Sequence, residues 1–224
     1  MDERVLDTKK IVVVGASGFG RESLDVLIAM QEAGSNIEIV GVIDDNPSDS
    51  NLERLEDRQI NFLGSVDDLL ESNQKDFHFV LGIGSPEIRA KIVETIENAG
   101  LTAFTAVHPT ASLGTNVTLS SGVVICAGAV ISTNVKLGKQ VHVNPSVTIG
   151  HDTVIGDFTS INPGAVISGE VKVGKGVLVG ASSTILQQLS VDDGSVIGAM
   201  ALATKDVPGT VVVKGIPGKW SEKK

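Results

Sequence analysis

Residues 143–158 read VNPSVTIGHDTVIGDF, and the spacing of their aliphatic residues is the strongest fold signal in the chain. Val143, Ile149 and Ile155 lie six residues apart, and the same spacing continues in both directions. Since helices and hairpin sheets do not have this period, the spacing predicts the hexapeptide repeat of a parallel β-helix. Aliphatic residues occupy sixteen consecutive positions of the series: 107, 113, 119, 125, 131, 137, 143, 149, 155, 161, 167, 173, 179, 185, 191 and 197.

Each group of six residues predicts one short strand followed by a turn, with the aliphatic side chain pointing into a narrow core. In such a solenoid, stacked coils satisfy the backbone hydrogen-bonding groups of one another. An aromatic content of only 3% fits a core with little room for rings.

The residues before the repeat alternate between strand and helix patterns. Apolar runs at 10–15, 37–45, 77–84 and 101–107 predict strands, and residues 21–33, 66–71 and 86–98 predict helices. This alternation predicts a small open parallel sheet, Rossmann-like, that binds ligands at the carboxyl ends of its strands. We therefore expect an α/β domain over residues 1–106, and a β-helix domain with a C-terminal tail over residues 107–224.

The composition argues against two classes of function. The formal net charge is −9 and the pI is near 4.9, and no cluster of Lys and Arg opposes this balance, which argues against nucleic-acid binding. The N-terminal residues MDERVLDTKK lack the basic and apolar parts of a secretory signal, and no apolar run is long enough to cross a bilayer. We therefore expect a cytoplasmic protein that does not insert into membranes.

Cys126 is the only cysteine, which excludes an intrachain disulfide and a cysteine-based zinc cluster. Its neighbours Ile125 and Ala127 are apolar, which indicates a structural thiol rather than a nucleophile.

A glycine-rich loop, GASGFG at residues 15–20, follows the first predicted strand and opens a helix, so its backbone N–H groups could face a phosphate. Its glycine order differs from the dinucleotide-binding G-x-G-x-x-G, which argues against NAD. Asp44 and Asp45 end the second predicted strand and Gly84 ends the third. Because these positions fall at the carboxyl ends of strands, we expect one ligand site there, although carboxylates after a strand are also ordinary turn residues.

His151 stands at a repeat position where the chain otherwise places small or turn-forming residues. An ordinary pKa of about 6.5 suits histidine for proton transfer, so His151 is a candidate general base; the alternative is a surface histidine in a turn. His142 lies nine residues earlier, but the three-histidine spacing of a subunit-bridging metal site is absent, and we expect no metal. His78 and His108 are interpreted as structural residues.

Three segments together carry a family resemblance: VHPTASL at 107–113, NPSVTIGHDTVIGDFTSINPGAVISG at 144–169, and VVVKGIPGK at 211–219. With the opening GASGFG, IDDN at 43–46 and the GHD element, the chain resembles, over nearly its whole length, the bacterial nucleotide-aminosugar N-acetyltransferases and sialic acid O-acetyltransferases. The resemblance implies a left-handed β-helix with three hexads per coil. It also implies a homotrimer whose active sites lie between subunits.

The resemblance also assigns roles to residues. It implies that His151 is the general base, that Asp152 orients it, and that acetyl-CoA contacts Ser160, Ala181 and Ala199. It further implies that Ser17, Gly18, Phe19, Asp44, Asp45 and Gly84 bind a nucleotide sugar. Lys205, Lys214 and Lys219 could meet the phosphates of CoA, although charged residues near a C-terminal end are usually just solvated. From the residues alone, Ser160 and the two alanines are equally well explained as small turn residues of the repeat.

The resemblance thus implies an acetyl-CoA-dependent enzyme that acetylates the amine of a nucleotide-linked amino sugar during synthesis of a surface glycan. Two alternatives remain. One is O-acetylation of a sialic acid or another sugar, and the other is a non-catalytic scaffold or sugar-nucleotide-binding protein.

Overall fold

A computed structural model of the protein describes residues 8–72 and 76–222. Residues 1–7, which belong to the N-terminal segment considered above for a secretory signal, lie outside the described residues. No helix in the described parts of the chain is both long and apolar enough to cross a membrane.

The first part of the chain forms a four-stranded parallel sheet with helices, as predicted. The sheet has the strand order β2-β1-β3-β4. Residues 11–14 of β1 are buried, as expected for a central parallel strand covered on both faces. The elements are β1 Lys9–Val14, α1 Gly18–Glu32, β2 Ile37–Ile43, α2 Asp49–Glu56, α3 Val66–Glu71, β3 Phe77–Leu81, α4 Pro86–Asn98 and β4 Thr102–Ala103.

The start of α4 confirms a prediction from the sequence, whereas α2 was missed. Ser85 caps α4 by accepting a hydrogen bond from the backbone N–H of Ile88, and Pro86 takes the first helical position. In α2 only Leu55 is buried, so the helix has too few apolar residues to show a periodic pattern. Its one local signal is the N-cap Ser48, which accepts from the N–H of Asn51.

The single strand predicted over residues 101–107 is wrong. Residues Thr102–Ala103 pair with β3, whereas Ala106–Val107 form β5 and pair with β8 in the other part of the molecule. Between them, Phe104 still donates its N–H to the carbonyl of Phe79. The apolar run therefore serves two sheets in turn, and the chain leaves the first sheet to enter the first coil.

The second part is a left-handed parallel β-helix, which confirms the predicted fold class. Each short strand pairs with the strand one coil later, as in the register His142 to Ser160, so one coil takes three hexads. The strands are β5 Ala106–Val107, β6 Ser112–Leu113, β7 Thr118–Leu119, β8 Val124–Ile125, β9 Val130–Ile131, β10 Lys136–Leu137, β11 His142–Val143, β12 Thr148–Ile149, β13 Val154–Ile155, β14 Ser160–Ile161, β15 Val166–Ile167, β16 Lys172–Val173, β17 Leu178–Val179, β18 Thr184–Ile185, β19 Ser190–Val191, β20 Val196–Ile197 and β21 Leu202–Ala203.

Three sheets form the three faces of the β-helix. The five-stranded sheet runs β19-β16-β13-β10-β7, and the six-stranded sheet runs β21-β18-β15-β12-β9-β6. The eight-stranded sheet runs from β5 to β20 and is extended by the terminal hairpin of β22 Val211–Lys214 and β23 Lys219–Glu222. Aliphatic residues of the six-residue series fill the core, and those from Ile125 to Ile197 are all buried.

The corners of the β-helix require left-handed backbone conformations. One corner repeats this conformation in five successive coils, at Asn116, Asn134, Asp152, Glu170 and Gln188, with φ between 58° and 62°. Asn and Asp tolerate this region better than other residues that carry a Cβ atom. We call this column of five residues the polar corner.

Candidate active site

His151 lies in the turn between β12 and β13, beside the polar corner. Its Nδ1 atom is 2.8 Å from Oδ2 of Asp152, and the two side chains are 55% and 48% exposed. A carboxylate at this distance accepts the proton on Nδ1, which leaves the lone pair of the neutral ring on Nε2. This is the tautomer that a general base needs.

Asp152 is held from a second side. Its Oδ1 atom accepts a hydrogen bond of 2.8 Å from Nδ2 of Asn134, one coil earlier. The hydrogen bond from Asn134, and after it the one from His151, lowers the pKa of Asp152 below its ordinary value. The carboxylate is therefore ionised at neutral pH and able to orient the imidazole.

The imidazole of His151 occupies space left by a glycine. Gly169 lies one coil after His151, and a Cβ atom at this position would stand 2.6 Å from Nε2. Any larger residue would therefore displace the ring. The sequence interpretation missed both Gly169 and Asn134, although a period of three hexads places each of them directly above or below the His151-Asp152 pair.

The residues predicted to contact acetyl-CoA separate into two groups. Ala181 and Ala199 lie on adjacent coils at the corner between the eight-stranded and six-stranded sheets, where the N–H of Met200 donates to the carbonyl of Ala181 at 2.8 Å. Ser160 instead begins β14, is only 5% exposed, and accepts a hydrogen bond from Arg89 at 3.0 Å. Its hydroxyl is thus engaged inside the molecule.

His151 lies at a different corner from the two alanines. Its corner joins the six-stranded sheet to the five-stranded sheet, so the six-stranded face separates His151 from Ala181 and Ala199 within one chain. The exposed side chains of Val130 and Val166 lie on that face.

The residues predicted to bind a nucleotide sugar surround the carboxyl ends of β1, β2 and β3. A cleft of about 270 Å³ opens there. Ser17 and Gly18 are exposed at the start of α1, and Gly84 is exposed after β3. The cleft is lined by Val14, Gly15, Asp44, Asp45, Asn46, Val66, Ile83, Ile88 and Ile92.

Both aspartates hold the surrounding loops. Asp44 accepts from the N–H of Ala16 at 2.7 Å through Oδ2 and from the N–H of Asn46 at 2.9 Å through Oδ1. Asp45 accepts from the N–H of Val66 at 2.8 Å through Oδ1. Asp44 therefore has a clear structural role, while the exposed Asp45 also borders the cleft.

The glycine-rich loop packs closely against the end of β3. A Cβ atom on Gly20 would overlap the carbonyl of Gly15, and one on Gly82 would overlap Gly20, so these glycines permit close contact between α1 and the loop after β3. The ring of Phe19 leaves the loop and stacks on His142 with 4.3 Å between centroids. Its side chain therefore joins the two parts of the chain.

Arg89 is a residue that the sequence interpretation missed. The side chain is fully buried, and Nη1 donates to the carbonyls of Ile83 and Gly84 at 2.9 Å. Nη1 also reaches Ser160, while Nη2 donates to the carbonyl of Phe158. Burial lowers the pKa of Arg89 to about 10, so the group stays charged at neutral pH. Arg89 thus links the loop at Gly84 to the coil that follows His151.

His142 and Cys126 are buried inside the molecule. His142 is buried, and its pKa lies well below the ordinary value because burial, and then the charge of Arg89, disfavours the imidazolium. Burial raises the pKa of the Cys126 thiol to about 12.

Lys205 and Lys219 line a pocket of about 330 Å³ beside Trp220, and Lys214 is exposed in β22. Among residues 8–72 and 76–222 there is no cluster of three or more His, Cys, Asp or Glu placed to hold a metal ion.

Comparison with known families matches both parts of the chain. A family model described as the PglD N-terminal domain matches residues 10–96. A second model, described as bacterial transferase hexapeptide with six repeats, matches residues 152–187.

Individual proteins agree with these matches. The chain is 28% identical to GDP-perosamine N-acetyltransferase of Escherichia coli O157:H7 over 132 residues, 58% of this chain and 57% of that protein. The match thus spans little more than half the length of this curated relative.

Two solved structures cover nearly the whole chain. A mutant perosamine N-acetyltransferase from Caulobacter crescentus, in complex with CoA and GDP-perosamine, gives a TM-score of 0.85 at 21% identity, covering 95% of this chain and 96% of that one. At 21% identity, this similarity shows that the two chains share a fold and no more. The acetyltransferase domain of PglB from Neisseria gonorrhoeae FA1090, in complex with acetyl coenzyme A, gives a TM-score of 0.81 at 26% identity. This match covers 95% of this chain and 98% of that one.

Proposed function

Because the chain belongs to the bacterial sugar acetyltransferases with hexapeptide repeats, we propose that it transfers an acetyl group from acetyl-CoA to the amine of a nucleotide-linked amino sugar. The observation that carries this proposal is the His151-Asp152 pair, joined at 2.8 Å, with the ring lying against Gly169. This pair has the geometry of an oriented general base on a rigid scaffold.

The proposed chemistry is nucleophilic attack by the sugar amine on the thioester carbonyl carbon. As the new C–N bond forms, Nε2 of His151 accepts a proton from the amine nitrogen, and Asp152 stabilises the imidazolium. The C–S bond then breaks and the proton passes to the sulfur, which leaves as the thiol of CoA. A backbone N–H group stabilises the negative charge on the carbonyl oxygen.

Acetyl-CoA, as co-substrate, fits the small residues at one corner of the β-helix. Ala181 and Ala199 leave an open surface that runs along adjacent coils, and Lys205 and Lys219 supply positive charge beside Trp220 farther along the chain. The complex of the PglB domain with acetyl coenzyme A supports acetyl-CoA as the co-substrate. Ser160 remains in the proposed site only through its carbonyl oxygen, because its hydroxyl bonds to Arg89 and its N–H donates to the carbonyl of Val177.

For the acceptor, we propose the cleft at the carboxyl ends of β1 to β3. Backbone N–H groups at Ser17, Gly18 and Phe19 open α1 and favour a phosphate, while Asp45 borders the cleft and can accept a hydroxyl hydrogen bond from a ribose. Asp44 and Gly84 shape the loops of the same site. The name of the relative, GDP-perosamine N-acetyltransferase, supports a nucleotide-linked amino sugar.

A homotrimer with active sites between subunits completes the proposal. In one chain His151 and the two alanines border opposite edges of the six-stranded face. A second copy packed on this face, where Val130 and Val166 are 47% and 39% exposed, would bring the base of one copy to the acyl-donor residues of another. We further propose that residues 1–106 bind the nucleotide sugar and that residues 107–224 perform the transfer. The proposed place of the reaction is the cytoplasm, and its product serves the synthesis of a surface glycan.

The test is release of free CoA thiol from acetyl-CoA across UDP- and GDP-linked amino sugars, free and CMP-linked sialic acids, and simple amines. We expect turnover on a nucleotide amino sugar, with the acetyl group on nitrogen in the mass spectrum of the product. Turnover only on hydroxyl acceptors would replace the proposal by O-acetylation. Binding of acetyl-CoA and of the sugars without any turnover would indicate the non-catalytic scaffold.

A further inference from the structure

We propose that Asn134 is a positioning residue that acts on the catalytic base through Asp152, so that the proton-accepting unit is Asn134-Asp152-His151. This inference rests on the proposed function of His151. Asn134 does not touch the substrates in this account, and its effect passes entirely through the carboxylate.

The contacts form one chain of hydrogen bonds across two coils. Nδ2 of Asn134 lies 2.8 Å from Oδ1 of Asp152, and Oδ2 of Asp152 lies 2.8 Å from Nδ1 of His151. Each carboxylate oxygen therefore has its own partner. A carboxylate anchored at one oxygen cannot rotate without breaking the contact at the other, so Asn134 fixes the plane in which Asp152 meets the imidazole.

The amide orientation of Asn134 is itself determined by its neighbour. Nδ2 of Asn116 donates to Oδ1 of Asn134 at 3.2 Å, so the Nδ2 group of Asn134 faces Asp152. Asn134 also holds a left-handed backbone, with φ of 59°, which Asn adopts at little cost. Both its backbone and its side chain are thus suited to this position in the polar corner.

The other groups packed around the pair do not supply the same contact. Thr133 and Gly169, in the coils before and after His151, carry no charge. Glu170 is the next carboxylate of the polar corner, and its oxygens accept from Nε2 of Gln188 at 3.4 and 3.3 Å. Gln188 thus makes an amide-carboxylate contact of the same type, but longer and shared between both oxygens, and it does not involve Asp152.

The contact between Gln188 and Glu170 provides control variants for the contact between Asn134 and Asp152. Asn134→Gly removes the amide donor at a position where glycine accepts the left-handed backbone, and Gln188→Gly does the same beside Glu170, where φ is 62°. Asn134→Asp replaces the donor by a second carboxylate next to Asp152, and Gln188→Glu places the same charge next to Glu170.

The experiment combines steady-state kinetics with an NMR titration of the His151 ring in the full chain. We expect Asn134→Gly to lower kcat about tenfold with little change in either KM, because the base is less well oriented. We expect Asn134→Asp to move the acid limb of the kcat/KM profile, and the titration of the ring, to higher pH, because the added negative charge stabilises the imidazolium. Gln188→Gly should keep kcat within about twofold of the unsubstituted protein, since its contact lies outside the unit.

Two results would overturn the inference. One is a kcat for Asn134→Gly no lower than that of Gln188→Gly, and the other is a titration of His151 in Asn134→Asp that moves no further than in Gln188→Glu. The NMR titration reads the coupling whether or not the protein turns over. Absence of turnover in the unsubstituted protein would therefore refute the proposed function, while the titrations would still decide the role of Asn134.

Discussion

Nη1 of Arg89 lies 3.0 Å from Oγ of Ser160, and this buried hydrogen bond joins helix α4 to the β-helix. The same guanidinium holds the carbonyls of Ile83 and Gly84, so one side chain sets the position of the loop after β3 relative to the coil that follows His151. Arg89 therefore links the proposed acceptor cleft to the coil that follows His151.

Replacement of Arg89 should lower the stability of the folded protein. Arg89→Met leaves the carbonyls of Ile83 and Phe158 without their donor, and we expect it to lower the free energy of unfolding by about 2 kcal/mol or more. Chemical denaturation measures this change. The matched control is Arg58→Met, which removes a partly exposed ion pair with Asp25 and a long hydrogen bond to the carbonyl of Arg21, and should cost no more than about 1 kcal/mol.

An Arg89→Met protein that is as stable as Arg58→Met would show that the buried guanidinium does not hold the two parts together. If Arg89→Met folds, we also expect its KM for the sugar nucleotide to rise, because the loop at Gly84 loses its anchor.

Replacement of Gly169 should lower activity without preventing folding. Its backbone is not left-handed, so Gly169→Ala is compatible with the local conformation, but the new methyl group would displace the imidazole of His151. We expect kcat to fall at least about tenfold, because a small displacement of a catalytic group is costly. The unfolding temperature should change little, since the exposed ring can move into solvent. Unchanged kcat in a folded Gly169→Ala protein would show that the ring does not need this space.

His142 should make the stability of the protein depend on pH. Its folded-state pKa lies well below its unfolded value of 6.5, because burial and the charge of Arg89 exclude the imidazolium. Below about pH 6.5 the unfolded chain therefore binds a proton that the folded chain does not, and the free energy of unfolding falls by up to about 1.4 kcal/mol per pH unit. Stability from this residue is thus present above this pH and lost as the pH decreases.

The measurement is chemical denaturation between about pH 5 and 8, the range in which histidine titrates, with His142→Leu as the comparison. The substituted protein should show a smaller slope of stability against pH. His78, whose pKa is also lowered by burial, contributes a slope that remains in both proteins. Equal slopes would contradict a buried neutral His142.

The sequence alone predicts the β-helix in detail because its period is a direct consequence of the backbone. Every aliphatic residue from Val107 to Ile197 in the six-residue series ends a strand, from β5 to β20. The repeat is local, and each coil imposes the same requirement on the next. By contrast, the apolar run 101–107 satisfies two different sheets, and no local pattern separates these two uses.

The residues of the candidate site also divide into those that the sequence pattern can locate and those that it cannot. His151 and Asp152 are adjacent in sequence, so their pairing could be anticipated, and Asn134 and Gly169 could have been found by adding or subtracting three hexads. Arg89 carries no such signal, because its partners Phe158 and Ser160 belong to another part of the chain and its spacing is that of an ordinary helix residue. The two roles of Ser160, as a predicted CoA contact and as an acceptor for Arg89, could be distinguished only in three dimensions.

We propose that His151 is the base for acetyl transfer. The most direct test is the turnover of His151→Ala with acetyl-CoA and the sugar nucleotide that the unsubstituted protein accepts, with acetyl-CoA binding measured by calorimetry alongside. We expect kcat to fall by about 100-fold to 10,000-fold with acetyl-CoA binding retained, because general base catalysis contributes this much. A folded His151→Ala protein whose kcat stays within about tenfold of the original would contradict it.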